Sequence, residues 1–151
     1  MHYVIDDQVL TTSGSIKMTR TLIALWGVSN VGKSSTIRAL YKLLRSKYRN
    51  AKIRNLGRGS DVCAIFTIGK TKIGIEHHGD PGSRLEESLK KFVKEKCKVI
   101  ICATRSSGRT ADAVYALDQN YDLIWLEKQR TQDNEELARL IFLATQGAMK
   151  G

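Results

Sequence analysis

The chain alternates between short apolar runs and stretches in which apolar residues recur every three or four positions. The apolar run TLIALW, residues 21–26, ends at Gly27 and predicts a fully buried strand. From Lys33 the apolar residues fall at helical steps, which predicts an amphipathic helix. Its apolar face comprises Ile37, Leu40, Tyr41, Leu44 and Tyr48. A basic stripe follows its other face: Arg38, Lys42, Arg45 and Arg49.

Two further apolar runs lie close together, VCAIFTI at residues 62–68 and KIGIE at residues 72–76. The connection GKT is so short that it predicts an antiparallel hairpin. The apolar runs KVIICAT and YDLIWLE predict two more strands. Amphipathic segments that predict helices follow the hairpin and each of these two strands. This order predicts an α/β three-layer sandwich, with a mostly parallel sheet and one antiparallel hairpin.

The last helix is expected to begin near Asp133 or Asn134 and to stop at Gly147. Residues 18–151 are expected to form a single domain, and residues 1–17 a flexible lead-in that is rich in Thr, Ser and Gly near its end. That lead-in lacks the basic start and apolar core of a secretory signal.

Composition narrows the class of protein. Hydrophobic residues make up 42% of the 151 residues, which is globular composition, and no apolar run reaches the ~18–20 residues of a membrane span. The three cysteines include no CxxC pair, so we expect reduced thiols in a cytoplasmic protein and no zinc site. The net charge of +10 favours acidic partners such as nucleotides or nucleic acid, although a solvated basic surface explains it equally well.

The segment GVSNVGKS, residues 27–34, fits the pattern G-x-x-x-x-G-K-[ST] between a predicted strand and a predicted helix. Glycines allow a tight loop whose backbone N–H groups point inward, and the helix adds its positive end. Lys33 is expected to reach the phosphates and Ser34 to bind Mg²⁺. The predicted nucleotide-binding residues are Gly27, Ser29, Asn30, Val31, Gly32, Lys33, Ser34 and Ser35.

On this motif, known as Walker A, the chain resembles the P-loop NTPase superfamily, without indicating a subfamily. The resemblance implies an acid at the end of a neighbouring strand that holds Mg²⁺ directly or through water. Glu76, at the end of the hairpin, and Asp80, in the following loop, are the candidates. Each is alternatively a solvated loop charge.

The hairpin also resembles the layout of Ras-like GTPases, in which the corresponding strand ends in D-x-x-G. Here the matching residues are Glu76-His77-His78-Gly79, with Glu in place of Asp. The guanine-reading pattern N-K-x-D is represented after the last strand by Lys128 alone, so we expect ATP rather than GTP as the ligand.

Two arginines follow the strand KVIICAT, in the segment CATRSSGRT. The carboxyl ends of parallel strands face the ligand crevice, so Thr104, Arg105 and Arg109 are expected near the phosphates. The two arginines would neutralise charge that develops during phosphoryl transfer, and the loop resembles in composition a shortened lid of small P-loop kinases. A basic surface loop is the alternative.

His77 and His78 are either catalytic groups near a phosphate or exposed loop residues. A metal site formed by this pair is disfavoured, because neighbouring side chains on an extended chain point in opposite directions.

Three functions are compatible with these residues. The first is a Mg²⁺-dependent, ATP-binding protein that hydrolyses nucleotide or transfers a phosphoryl group, with Lys33, Glu76, Arg105 and Arg109 as catalytic residues. The second is a small P-loop kinase acting on a small-molecule or nucleotide acceptor. The third is a nucleotide-gated switch whose loops change partners with the bound nucleotide.

Overall fold

A computed structural model of the chain describes residues 3–5, 8–10, 16–28, 31–59, 61–79 and 82–150, with backbone alone over residues 3–18. It contains a six-stranded sheet flanked by helices. The strands are β4 (Thr21–Trp26), β5 (Lys52–Asn55), β6 (Cys63–Ile68), β7 (Thr71–Glu76), β8 (Val99–Thr104) and β9 (Asp122–Glu127). The helices are α1 (Lys33–Lys47), α2 (Leu85–Lys94), α3 (Arg109–Tyr115) and α4 (Asn134–Lys150).

The strand order is β5-β6-β7-β8-β4-β9. Strands β7, β8, β4 and β9 pair in parallel, whereas β6 pairs antiparallel with both β5 and β7. The predicted hairpin is therefore confirmed, with Cys63 opposite Glu76 and Ile68 opposite Thr71. Strand β8 lies between β4 and β7, so the ends of β4 and of the hairpin are not adjacent.

Apolar side chains of the sheet pack on both of its faces, which confirms the three-layer α/β arrangement. One face carries Ile23, Ile75 and Ile101 against α1 and α4. The other face carries Leu22, Ile100 and Cys102 in a second cluster with residues of α2 and α3. Strands buried on both faces need continuous apolar runs, which is why β4 and β8 have almost no polar residues.

Helix α4 begins where predicted, because the Asp133 carboxylate accepts hydrogen bonds from the backbone N–H groups of Glu135 and Glu136 at 2.8 and 3.0 Å. The predicted stop at Gly147 is wrong, since the helix continues to Lys150. The Lys98 ammonium donates to the Met149 carbonyl at 2.8 Å and thereby stabilises the end of the helix beyond the glycine.

The first residues contain three short strands, β1 (Tyr3–Ile5), β2 (Gln8–Leu10) and β3 (Ile16–Met18), which pair as an antiparallel sheet. The flexible lead-in over residues 1–17 stays a prediction. The three cysteines are free thiols and buried. In the part of the chain that the structure describes, no helix has both the length and the apolar character needed to cross a bilayer.

Candidate functional site

The segment that joins β4 to α1 lies at the carboxyl end of the parallel strands, where such sheets bind ligands. Gly27 is buried, and a Cβ on it would lie 2.8 Å from the Lys128 carbonyl oxygen. Val31 is also buried, with 8% of its surface exposed. Ser29 and Asn30, both predicted to bind nucleotide, lie outside the described residues.

Gly32 precedes the first turn of α1 and has a φ of +102°, in the left-handed region that glycine adopts most readily. Its carbonyl accepts hydrogen bonds from the Thr36 backbone N–H at 2.9 Å and the Thr36 hydroxyl at 2.8 Å. The first turn, KSST, has no acidic residue, and no side chain caps it. The positive end of the helix is therefore suited to an anion.

Lys33 is buried, with 7% of its surface exposed. Its ammonium donates to the Gly27 carbonyl at 2.5 Å and to the Thr104 carbonyl at 3.1 Å, which joins the loop to the end of β8. The Thr104 hydroxyl is buried and has no hydrogen-bond partner among the described residues. Buried polar groups are usually hydrogen-bonded, so the Thr104 hydroxyl is suited to a polar partner at the end of β8.

Lys128 and Asn134, which were not predicted as site residues, lie against Gly32 of the loop. Lys128 is 2% exposed, and its ammonium donates to the carbonyls of Gln129 and Gln132, each at 2.6 Å. Any Cβ added to Gly32 would lie 3.2 Å from Cε of Lys128 and 2.6 Å from Oδ1 of Asn134. The lysine of the incomplete N-K-x-D pattern was the one sequence signal for this contact.

Ser34 and Ser35 occupy the first turn of α1. Ser34 is half-buried, whereas Ser35 is exposed and lines a groove of about 660 Å³ between α1 and α4. Arg38, Lys42 and Arg139 line the same groove with Glu135, so part of the basic stripe borders it. Nucleic acid as an acidic partner of the chain stays a prediction, as does the alternative of a solvated basic surface.

Glu76 is fully buried at the end of β7 and points to the face that carries α2. Its Oε1 accepts from Arg84 Nε and from the Ser88 hydroxyl, both at 2.7 Å. Its Oε2 accepts from Arg84 Nη2 and from the His78 backbone N–H, both at 3.1 Å. These four donors use the acceptor capacity of a carboxylate, so a metal ion would have to displace one of them.

Arg84 was not singled out by the sequence. Its hydrogen bonds to Glu76 raise the pKa of the guanidinium further above its ordinary value. A second contact joins Arg84 Nη1 to Asp61 Oδ2 at 3.4 Å, so one arginine bridges two carboxylates. Asp80, the other candidate metal ligand, lies outside the described residues.

The two predicted charge neutralisers differ in their surroundings. Arg105 is half-buried directly after β8, and its backbone N–H donates to the Thr110 hydroxyl at 3.4 Å. The Arg109 side chain is 81% exposed and forms an ion pair with Glu86 of α2. The hydrogen bond that Arg109 Nε donates to Glu86 lowers the pKa of the Glu86 carboxyl. Catalytic roles for both arginines stay predictions.

The two histidines after β7 lie together with Asp61 rather than apart. Their ring centroids are 4.2 Å apart, because the chain leaves the strand at Glu76 and the alternation of side chains stops there. The expectation that the two side chains point in opposite directions is therefore wrong.

No protein-family model, curated protein or solved structure matches this chain.

Proposed function

We propose that this chain binds a nucleoside triphosphate with Mg²⁺ at the loop between β4 and α1, as P-loop NTPases do. The proposal includes hydrolysis of that nucleotide or transfer of its terminal phosphoryl group. The observation that supports it most is the loop itself. It places a left-handed glycine, a helix start without acidic residues and a buried lysine within a few residues of one another.

Phosphate binding would exchange the partners of Lys33. Among the described residues, its ammonium donates to two neutral carbonyl oxygens, those of Gly27 and Thr104. An ionised phosphate oxygen attracts the ammonium through its full negative charge as well as by hydrogen bonding, which a neutral carbonyl oxygen cannot do. A phosphate oxygen is therefore a better partner than either carbonyl, and the N–H groups at the start of α1 add further donors.

Among the described residues, Ser34 fits a Mg²⁺ ion best, since its half-buried hydroxyl lies in the first turn of α1. When bound, the ion would neutralise charge on the β- and γ-phosphate oxygens. Glu76 would contribute through a displaced donor or an intervening water, because its oxygens are already hydrogen-bonded.

Our proposal favours ATP over GTP. The segment after β9 places no acidic residue two positions beyond Lys128, where a guanine-reading Asp would stand. The Lys128 ammonium itself is occupied by the carbonyls of Gln129 and Gln132. These contacts hold the segment against Gly32 and leave adenine recognition to other groups.

A thermal-shift panel tests nucleotide binding. We expect ATP with Mg²⁺ to raise the melting temperature of the chain, whereas GTP, CTP and UTP raise it less. A ligand at 100 times its dissociation constant stabilises the folded state by about 2.7 kcal/mol, a shift of several degrees for a domain of this size.

The control for this panel is ATP without Mg²⁺, with the divalent ion removed by a chelator. A smaller shift in that sample supports the metal-bound nucleotide as the ligand. The absence of a shift with all four nucleotides and Mg²⁺ would contradict the proposed function.

A further inference from the structure

Three side chains with metal-binding atoms meet at the open end of the β6–β7 hairpin. Asp61 precedes β6, and His77 and His78 follow β7. The register that pairs Cys63 with Glu76 continues beyond the strands, since the His77 backbone N–H donates to the Val62 carbonyl at 2.9 Å. This bond brings residue 61 close to the two histidines, and the chain leaves the strand geometry after Glu76, so both histidine rings lie on the side of Asp61.

The ligand atoms have spacings close to those of a metal site. Asp61 Oδ1 lies 3.5 Å from Nε2 of His77 and 3.4 Å from Nε2 of His78. One ligand atom from each of the three residues falls within 4.8 Å of the others. Bonds of about 2.0–2.1 Å in a tetrahedral site place neighbouring ligand atoms about 3.3 Å apart. The two ligand atoms that lie farthest apart would have to move closer together to bind one ion. The His78 side chain is 44% exposed and has room to turn.

His77 supplies an independent observation. Its side chain is 2% exposed, yet neither ring nitrogen has a hydrogen-bond partner among the described residues. The 3.5 Å separation from Asp61 is longer than the 2.7–3.2 Å typical of a hydrogen bond from nitrogen to oxygen. A buried polar ring without a partner is unfavourable unless another group satisfies it. A metal ion would bind one of these nitrogens, and Asp61 and His78 would supply two further ligands.

The contacts of Asp61 leave one of its carboxylate oxygens directed at the two histidines. Burial and the nearby charges of His78 and Arg38 lower the pKa of His77. Desolvation raises the pKa of Asp61, but hydrogen bonds with His78 and Arg84 outweigh it and lower the pKa overall. Arg84 contacts Oδ2 and leaves Oδ1 facing the histidines.

Two imidazoles and one carboxylate select for a class of metal. Nitrogen ligands suit Zn²⁺ and other late divalent transition metals, whereas Mg²⁺ prefers oxygen ligands. Three protein ligands leave a fourth position for water or substrate, as in catalytic rather than structural zinc sites.

We propose that Asp61, His77 and His78 bind one divalent transition-metal ion, with Zn²⁺ as the representative, at a site separate from the Mg²⁺–nucleotide loop. The two sites lie at the same edge of the sheet, with β8 between the strands that carry them. This inference does not depend on the proposed function, because no ligand atom is shared with residues 27–34.

Zinc binding should be measured on the untagged full chain after treatment with a chelator, by competition with a chromogenic zinc chelator. We expect one Zn²⁺ per chain, and millimolar Mg²⁺ should not displace it. His78→Ala and Asp61→Asn should each weaken zinc binding by at least about 100-fold, beyond the 10–100-fold usual for losing a group that only supports a ligand. Both residues are partly exposed, so both variants are expected to fold.

Two matched variants complete the experiment. His2→Ala removes the remaining histidine of the chain and should leave zinc affinity unchanged. Lys33→Ala should also retain zinc binding, which separates this site from the nucleotide site. The inference is overturned if the wild-type chain binds no zinc, if His78→Ala and Asp61→Asn bind it as well as wild type, or if His2→Ala loses it.

Discussion

Lys33→Ala is expected to reduce the affinity for Mg²⁺–ATP by at least about 100-fold. The ammonium lies between the ends of β4 and β8, where it donates to the Gly27 and Thr104 carbonyls. Hydrogen bonds to charged groups contribute about 1.5–3 kcal/mol each, and two such bonds to phosphate account for a change of this size. Isothermal titration calorimetry of both proteins with Mg²⁺–ATP measures it.

The same substitution also affects stability. It removes both donors from the Gly27 and Thr104 carbonyls, and leaving buried acceptors unpaired costs about 1–3 kcal/mol. The calorimetric titrations should therefore be run at a temperature well below the melting temperature of the variant. Lys42→Ala is the matched control, because it removes an exposed lysine from the same helix. Equal affinities for wild type and Lys33→Ala would exclude the lysine from phosphate binding.

Gly79→Ala is expected to destabilise the folded state by about 3 kcal/mol or more, since overpacking usually costs about 1–3 kcal/mol and here backbone must move. Gly79 is buried where the segment after β7 crosses the end of β8. A Cβ on it would overlap the Ala103 carbonyl and lie 2.5 Å from the Thr104 nitrogen. These are backbone atoms of a central strand, so no flexible side chain can yield.

The displaced segment of β8 includes Thr104, whose carbonyl accepts from Lys33, so nucleotide binding should weaken along with stability. Urea unfolding followed by circular dichroism measures the loss. The control is Gly147→Ala, because Gly147 lies in α4 with no atom near its Cβ position, and this change should stabilise by about 1 kcal/mol. A Gly79→Ala protein as stable as wild type would show that the segment after β7 does not approach the backbone of β8 this closely.

The sequence predicted the elements with strong periodicity well. The apolar runs of β4 and β8 and the helical spacing of α1 leave few alternatives, and the three-residue connection requires the hairpin. The end of α4 was predicted wrongly because a local glycine signal was outweighed by tertiary contacts. Among these is the hydrogen bond from Lys98, a residue distant in sequence.

The candidate site could be predicted only where its residues are contiguous. The motif at 27–34 is local, whereas the contact of Lys128 with Gly32 depends on β9 lying beside β4. The Glu76–Arg84 pair depends in the same way on how α2 packs against β7. Strand order is a long-range property that periodicity does not encode, so these partners were not predicted.

The most direct measurement of nucleotide binding at residues 27–34 is the ¹⁵N–¹H correlation spectrum of the labelled chain, recorded with and without Mg²⁺–ATP. We expect the largest changes at the backbone amides of Gly32, Lys33 and Ser34, because these N–H groups lie at the start of α1. Changes confined to the groove between α1 and α4, or an unchanged spectrum at saturating nucleotide, would contradict a phosphate site in this loop.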